Sequence, residues 1–183
     1  MNTQKRKFSW VNAGPYICAF FVPVLVMLVV FIERGIWPFG DRCFLCTDLY
    51  HQMAPFHKEL QWKLVNGGSL LYSWNIGAGT NFWTLSAYYN ASPWTFLVGL
   101  WPEAYVIEFI TLSAVLKIGL SGLTMAYYLN KRQGRQGVEA YTGAFIGGFY
   151  ALSGWMAAYS WVVMHFHRLL YMAAMIQEKS VWM

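Results

Sequence analysis

The chain has 183 residues and a formal net charge of +5, with 57% hydrophobic, 19% aromatic and only 11% charged side chains. A soluble domain of this size carries about a quarter charged residues, so a water-facing globule of this composition would leave too much apolar surface uncovered. That excludes an ordinary soluble domain and predicts an all-α, polytopic membrane protein with membrane lipids as neighbours and no nucleic-acid partner.

Lys5, Arg6 and Lys7 precede the first apolar run, residues 15–32, which is 18 residues long and uncharged. That length crosses roughly 30 Å of hydrocarbon at about 1.5 Å per residue. Pro23 inside it is tolerable in a membrane helix, where neighbours satisfy the freed carbonyl. The run exceeds a signal-peptide core, and Glu33-Arg34-Gly35-Ile36-Trp37 offers no small-residue cleavage site, so an uncleaved signal anchor is expected. Cys18 within it reads as packing.

Residues 34–103 form a long loop with four basic and four acidic side chains. Asp41 sits in a Phe39-Gly40-Asp41-Arg42 stretch where turn chemistry alone explains an aspartate. Cys43-x-x-Cys46 is a lone pair and poor evidence for a metal. Thr47 is a candidate N-cap, and Leu49, Met53, Phe56, Leu60 and Leu64 recur at helical spacing on a stripe roughly 80° wide. Asp48, Gln52 and Glu59 fall within about 40° of one another on the neighbouring stripe. The expectation is an amphipathic helix lying on the membrane, bent at Pro55 and ended by Gly67-Gly68, that directs Asp48 and Gln52 toward a cleft. The alternative is a surface helix whose acidic face meets water.

Further along, Gly77 and Gly79 suit positive φ or close backbone approach. Trp74, Phe82, Trp83, Tyr88, Tyr89, Trp94 and Trp101 suit either stacking on sugar faces or an aromatic belt at the headgroups. Asn90-Ala91-Ser92 is a sequon on paper, followed by Pro93. Residues 92–101 are too short to span and read as an interfacial or re-entrant piece.

A second span is expected over 104–128 and a third over 140–163. Glu108 and Lys117 lie in the second, nine positions apart and therefore on opposite sides of a helix. An ammonium at mid-bilayer costs roughly 3 kcal/mol or more without a partner, so Lys117 is expected to face the bundle interior, toward an anionic partner such as a phosphate or a carboxylate; the alternative is snorkelling to a headgroup. Lys131, Arg132 and Arg135 follow this span. With the basic N-terminus, they place residues 1–14 and the 130–138 loop in the cytoplasm and residues 34–103 outside. Gly143-x-x-x-Gly147, with Gly148 and Gly154, predicts close helix packing. His165-x-His167 is too little for a metal site.

Three blocks carry a resemblance. Asp48-Leu49-Tyr50-His51-Gln52-Met53-Ala54-Pro55-Phe56 is followed by the run from Gly67-Gly68-Ser69 through Tyr72-Ser73-Trp74-Asn75 to Gly79-Thr80-Asn81-Phe82, and then by Tyr88-Tyr89-Asn90-Ala91-Ser92-Pro93. In this order they resemble the N-terminal region of the YfhO family of bacterial membrane proteins. The similarity continues through Leu116-Lys117-Ile118-Gly119 and Tyr150-Ala151-Leu152-Ser153-Gly154-Trp155, covering roughly residues 12–161, and residues 162–183 read as an atypical tail of a truncated or frameshifted chain.

The resemblance implies the N-terminal part of a GT-C-like glycosyltransferase bundle in the bacterial cytoplasmic membrane. Such an enzyme takes a sugar from a polyprenyl-phosphate donor and transfers it outside the membrane to a cell-envelope polymer such as lipoteichoic acid. Asp48 is then the catalytic base. Tyr50, His51, Gln52, Trp74, Asn81 and Lys117 are substrate contacts, and Asp41 and Glu59 are backup carboxylates. No cofactor is implied, and a divalent metal is left open. A second class stays open beside it, that of a non-catalytic membrane protein such as a transporter fragment or an assembly factor.

Overall fold

The computed structural model describes residues 10–90 and 92–154, with side chains from Ala13 onward. Five α-helices occur there: α1 Trp10–Arg34, α2 Ala54–Asn66, α3 Phe82–Tyr89, α4 Val106–Gln133 and α5 Ala140–Ala151. A two-stranded antiparallel ribbon, β1 Tyr72–Ser73 and β2 Thr80–Asn81, lies between α2 and α3. The described residues divide into two compact units. One comprises 28–116; the other comprises 10–27 with 117–154.

Two helices are long and apolar enough to cross a bilayer, within Ala13–Arg34 and Glu103–Gln133. Along α1 the side chains of Phe21, Leu25, Val29 and Ile32 are all exposed, as suits a helix whose solvent is lipid. Of the expected third span, 140–163, the described residues hold only the first part. Helix α5 stops at Ala151, where the Leu152 and Ser153 N–H groups bond back to Gly148 and Tyr150 carbonyls in a closing turn. Its 12 residues make about 18 Å of helix, short of a roughly 30 Å hydrocarbon core. The remainder of that expected span, His165-x-His167, the tail and the basic residues 5–7 lie outside the described residues.

In the 28–116 unit the expected apolar stripe is real, but its partner is protein. Leu49, Met53 and Leu60 are buried with Leu45, Phe82, Val98, Val106, Phe109 and Ile110 in one core, with Leu64 packed against it. Each such side chain contributes about 1.5–3 kcal/mol on leaving water. The loop therefore has a hydrophobic centre of its own, closed by the first turns of α4. Residues 95–100, expected to be interfacial, form a 3₁₀ helix whose Val98 is fully buried in that core. The Gln61 amide donates to the Val98 and Trp101 carbonyls at 3.0 and 2.6 Å and ties this piece to α2.

In the other unit, small residues permit close approach. A side chain at Gly122 would strike the Ala19 carbonyl, and one at Gly147 would lie 2.5 Å from the Gly122 carbonyl oxygen. Ala19, Ala126 and Ala144 complete the contact, so the predicted packing role of Gly143 and Gly147 holds. Gly148 and Gly154 have open space instead.

Candidate functional site

The helical run does follow Thr47 directly, with Asp48 already helical, but the threonine side chain is not its cap. Thr47 takes a positive φ of 46°, and its carbonyl, rather than its hydroxyl, receives the Tyr50 and His51 N–H groups. Leu49–Met53 is a single π-helical turn, closed by the Ala54 N–H to the Leu49 carbonyl. Pro55 explains the interruption, because a proline lacks the N–H that a regular ladder needs and its ring crowds the carbonyl four residues back. It therefore occupies the first turn of α2 instead of bending the middle of a longer helix. Gly67, at φ 68°, ends α2 as expected, and the Gly68 N–H returns to the Lys63 carbonyl.

This wider turn splits the expected trio. Asp48 precedes the π turn, exposed and with no hydrogen-bond or ion-pair partner among the described residues. Gln52 is half-buried, and its Oε1 accepts the Tyr89 hydroxyl at 2.8 Å. Tyr50 and His51 are exposed, with their rings edge to face. Short one-turn π segments are frequent at functional sites.

Glu59 belongs to a different cluster. Its Oε1 accepts the Ser73 hydroxyl at 2.5 Å and lies 3.3 Å from the Lys63 ammonium, and its Oε2 accepts the Asn75 amide at 3.0 Å. Lys63 donates as well to the Ser69 and Tyr72 carbonyls, both at 2.8 Å, and lies over the Phe82 ring. Burial pushes the Glu59 carboxyl up, but the hydrogen bonds from Ser73, Asn75 and Lys63 and the Lys63 charge outweigh it, leaving the group below the ordinary glutamate range. Of the stripe predicted to meet a cleft or water, Glu59 is here in a buried ion pair that fastens the 67–81 loop to α2.

That loop presents the aromatic residues. Gly77 and Gly79 take positive φ, as expected, and Gly79 passes so close to Tyr72 and Trp74 that a side chain there would collide with both. Trp74 is 77% exposed, its ring edge to face with Tyr72 at 4.8 Å. Asn81, expected at the substrate, caps α3 by accepting the Thr84 N–H at 3.1 Å. Asn90 of the sequon is fully buried and its amide donates to the Phe56 carbonyl and the Ser86 hydroxyl.

Asp41 is exposed in a turn closed by the Arg42 N–H to the Gly35 carbonyl at 3.0 Å, in keeping with a turn role. Lys117 is half-buried in α4, with no hydrogen-bond or ion-pair partner among the described residues. Cys43 and Cys46 are free and exposed. No group of three or more His, Cys, Asp or Glu side chains lies together among the described residues.

Sequence reading missed Lys63, Ser73 and Asn75. The Glu59–Lys63 pair was visible as the favourable glutamate-to-lysine spacing of four on a helix. Ser73 closes β1 and Asn75 lies in the bend after it; nothing local in the sequence linked either to α2.

No curated protein and no solved structure matches the chain. The family described as bacterial membrane protein YfhO matches residues 19–176, so the similarity runs past Trp161, where it was expected to end. The blocks around Asp48, Trp74 and Lys117 all fall inside that match, and with two helices of spanning length the chain belongs to the YfhO family of bacterial membrane proteins.

Proposed function

We propose that this chain is the N-terminal part of a GT-C-type glycosyltransferase that moves a sugar from a polyprenyl-phosphate donor to a cell-envelope polymer, with lipoteichoic acid the first candidate. The chemistry takes place on the outer side of the cytoplasmic membrane, with residues 34–103 outside and the N-terminus in the cytoplasm. Asp48 takes the proton of the acceptor hydroxyl as its oxygen attacks the anomeric carbon. The bond to the donor phosphate breaks on the opposite side, so configuration inverts. One base suffices because the phosphate is already a good leaving group. The Gln52 amide N–H groups have no partner among the described residues and are offered to a sugar hydroxyl while Tyr89 holds its oxygen. Tyr50, His51, Trp74 and Asn81 contact sugar or acceptor, and Lys117 offsets donor phosphate charge.

The observation that carries this reading is the state of the loop carboxylates. Glu59 is neutralised by Lys63, and Glu103 pairs with Lys58 at 3.5 Å. Asp41 and Asp48 have no cationic partner among the described residues, and Asp48 alone of these two adjoins a π turn with Gln52 four positions on.

The test is substitution of the aspartate matching Asp48 by Asn in an intact family member, scored by the sugar content of the envelope polymer. A general base contributes about 10²–10⁴-fold to rate, so glycosylation should fall to background while the Asp41→Asn equivalent stays near normal. Unchanged glycosylation in the Asp48 variant refutes the base assignment and leaves the non-catalytic reading, a transporter or assembly factor, in its place.

A further inference from the structure

A polar cavity of about 400 Å³ opens beside the end of α4, on residues the glycosyl-transfer reading does not use. Tyr16, Tyr127, Asn130, Lys131, Arg135 and Gln136 line it, and none of its lining residues is acidic. Its frame is a tight helix ending. Gly134 takes φ 66° and the Arg135 N–H returns to the Asn130 carbonyl at 3.0 Å, which brings Arg135 back beside the last turn of α4. Asn130 is 1% exposed and holds that turn to α5 through its amide bond to the Ala140 carbonyl at 2.9 Å.

One terminal guanidinium nitrogen of Arg135, Nη1, is buried with no hydrogen-bond partner among the described residues. Arg135 as a whole is half-buried and belongs to the cavity lining, so its guanidinium stands beside the cavity with hydrogen-bonding capacity that protein groups do not use. The 28 residues of α4 make a rod of about 42 Å against a hydrocarbon core of roughly 30 Å. Its last turn therefore reaches the level of the phospholipid headgroups. Arg135 offers the planar fork that matches two phosphate oxygens, and Lys131 adds a point charge.

We propose that this cavity is a binding site for a phosphate group, held by Arg135 and Lys131. The group arrives as the headgroup of an anionic phospholipid or as free phosphate.

The test uses the full chain purified in a neutral detergent and native mass spectrometry after incubation with phosphatidylglycerol, with diacylglycerol as the phosphate-free control. Retention of phosphatidylglycerol and not of diacylglycerol is expected. Losing a charge-assisted bond weakens binding about ten- to hundredfold in Arg135→Gln. Lys131→Gln should weaken it less, and its exposed position protects folding; helix content by circular dichroism checks both variants. Arg132→Gln removes a neighbouring charge that lies outside the cavity lining and bonds Tyr128, and should leave retention unchanged. A second arm adds inorganic phosphate. Displacement of the lipid would assign the site to free phosphate as well, and no displacement would assign it to the lipid headgroup. Equal retention of diacylglycerol, equal loss in all three variants, or no loss in folded Arg135→Gln and Lys131→Gln overturns the proposal.

Discussion

Replacing Glu59 by Gln tests the tie between the 67–81 loop and α2 at the level of single atoms. The carboxylate accepts from three donors, Ser73, Asn75 and Lys63, and an amide of the same shape offers one oxygen. Whichever way the substituted side chain turns, its NH₂ group faces a donor. Lys63 keeps the Ser69 and Tyr72 carbonyls, so the loss sits at the low end of the range for breaking a buried ion pair, about 3 kcal/mol. If the loop opens locally, that is about a hundredfold rise in its opening equilibrium. Hydrogen exchange on the full chain in nanodiscs would read it at the Gly68, Gly79 and Phe82 amides, which are bonded within the loop or to its ends, while amides in the middle of α4 stay protected. Removing both charges with Glu59→Gln and Lys63→Met should recover part of the protection.

Acid gives an independent check. The folded Glu59 carboxyl lies below the ordinary glutamate range, so its stabilisation is complete above that range and is lost as pH falls through the folded value. Loop exchange, corrected for the intrinsic rate, should rise on acidification in the native chain and much less in Glu59→Gln. A change under about threefold at neutral pH, or one shared equally by α4, refutes the reasoning.

Gly147→Ala drives a methyl into the Gly122 backbone, whereas Gly148→Ala enters open space; overpacking of this kind costs about 1–3 kcal/mol. Thermal unfolding in detergent should separate the two variants, and equal midpoints would deny the close approach. Cys43 and Cys46, exposed in the 28–116 unit, report the proposed orientation. After mild reduction, a membrane-impermeant maleimide should label them in intact cells and fail on a Cys43→Ser, Cys46→Ser double variant. Labelling only after permeabilisation would reverse the topology.

What could be read in advance was what repeats locally. The spacing of Leu49, Met53 and Leu60 announced a buried stripe because helical periodicity belongs to the chain itself, but Phe82, Val98 and Ile110, which cover it, are distant in sequence. The 100° rule put Asp48 beside Glu59 and failed at one place, the π turn that Pro55 forces, since one wide turn rotates everything after it. Glu59 was expected on a stripe facing a cleft or water, and Ser73 and Asn75, brought over by the loop, fill both of its oxygens instead. Of the uncharged run 140–163, helix α5 supplies the first 12 residues, and hydropathy could not reveal the turn at Leu152 and Ser153.

The Lys63 anchorage changes what a ligand on Trp74 would encounter. The indole stands 77% exposed, yet the loop beneath it is fixed by the Ser69 and Tyr72 carbonyls and by Glu59. A sugar face docking on that ring would not have to freeze a wandering chain first, and most of its contact energy would survive as affinity. Loosening the loop from below, as in Glu59→Gln, would then weaken such a ligand without altering an atom it touches, through the entropy of ordering alone.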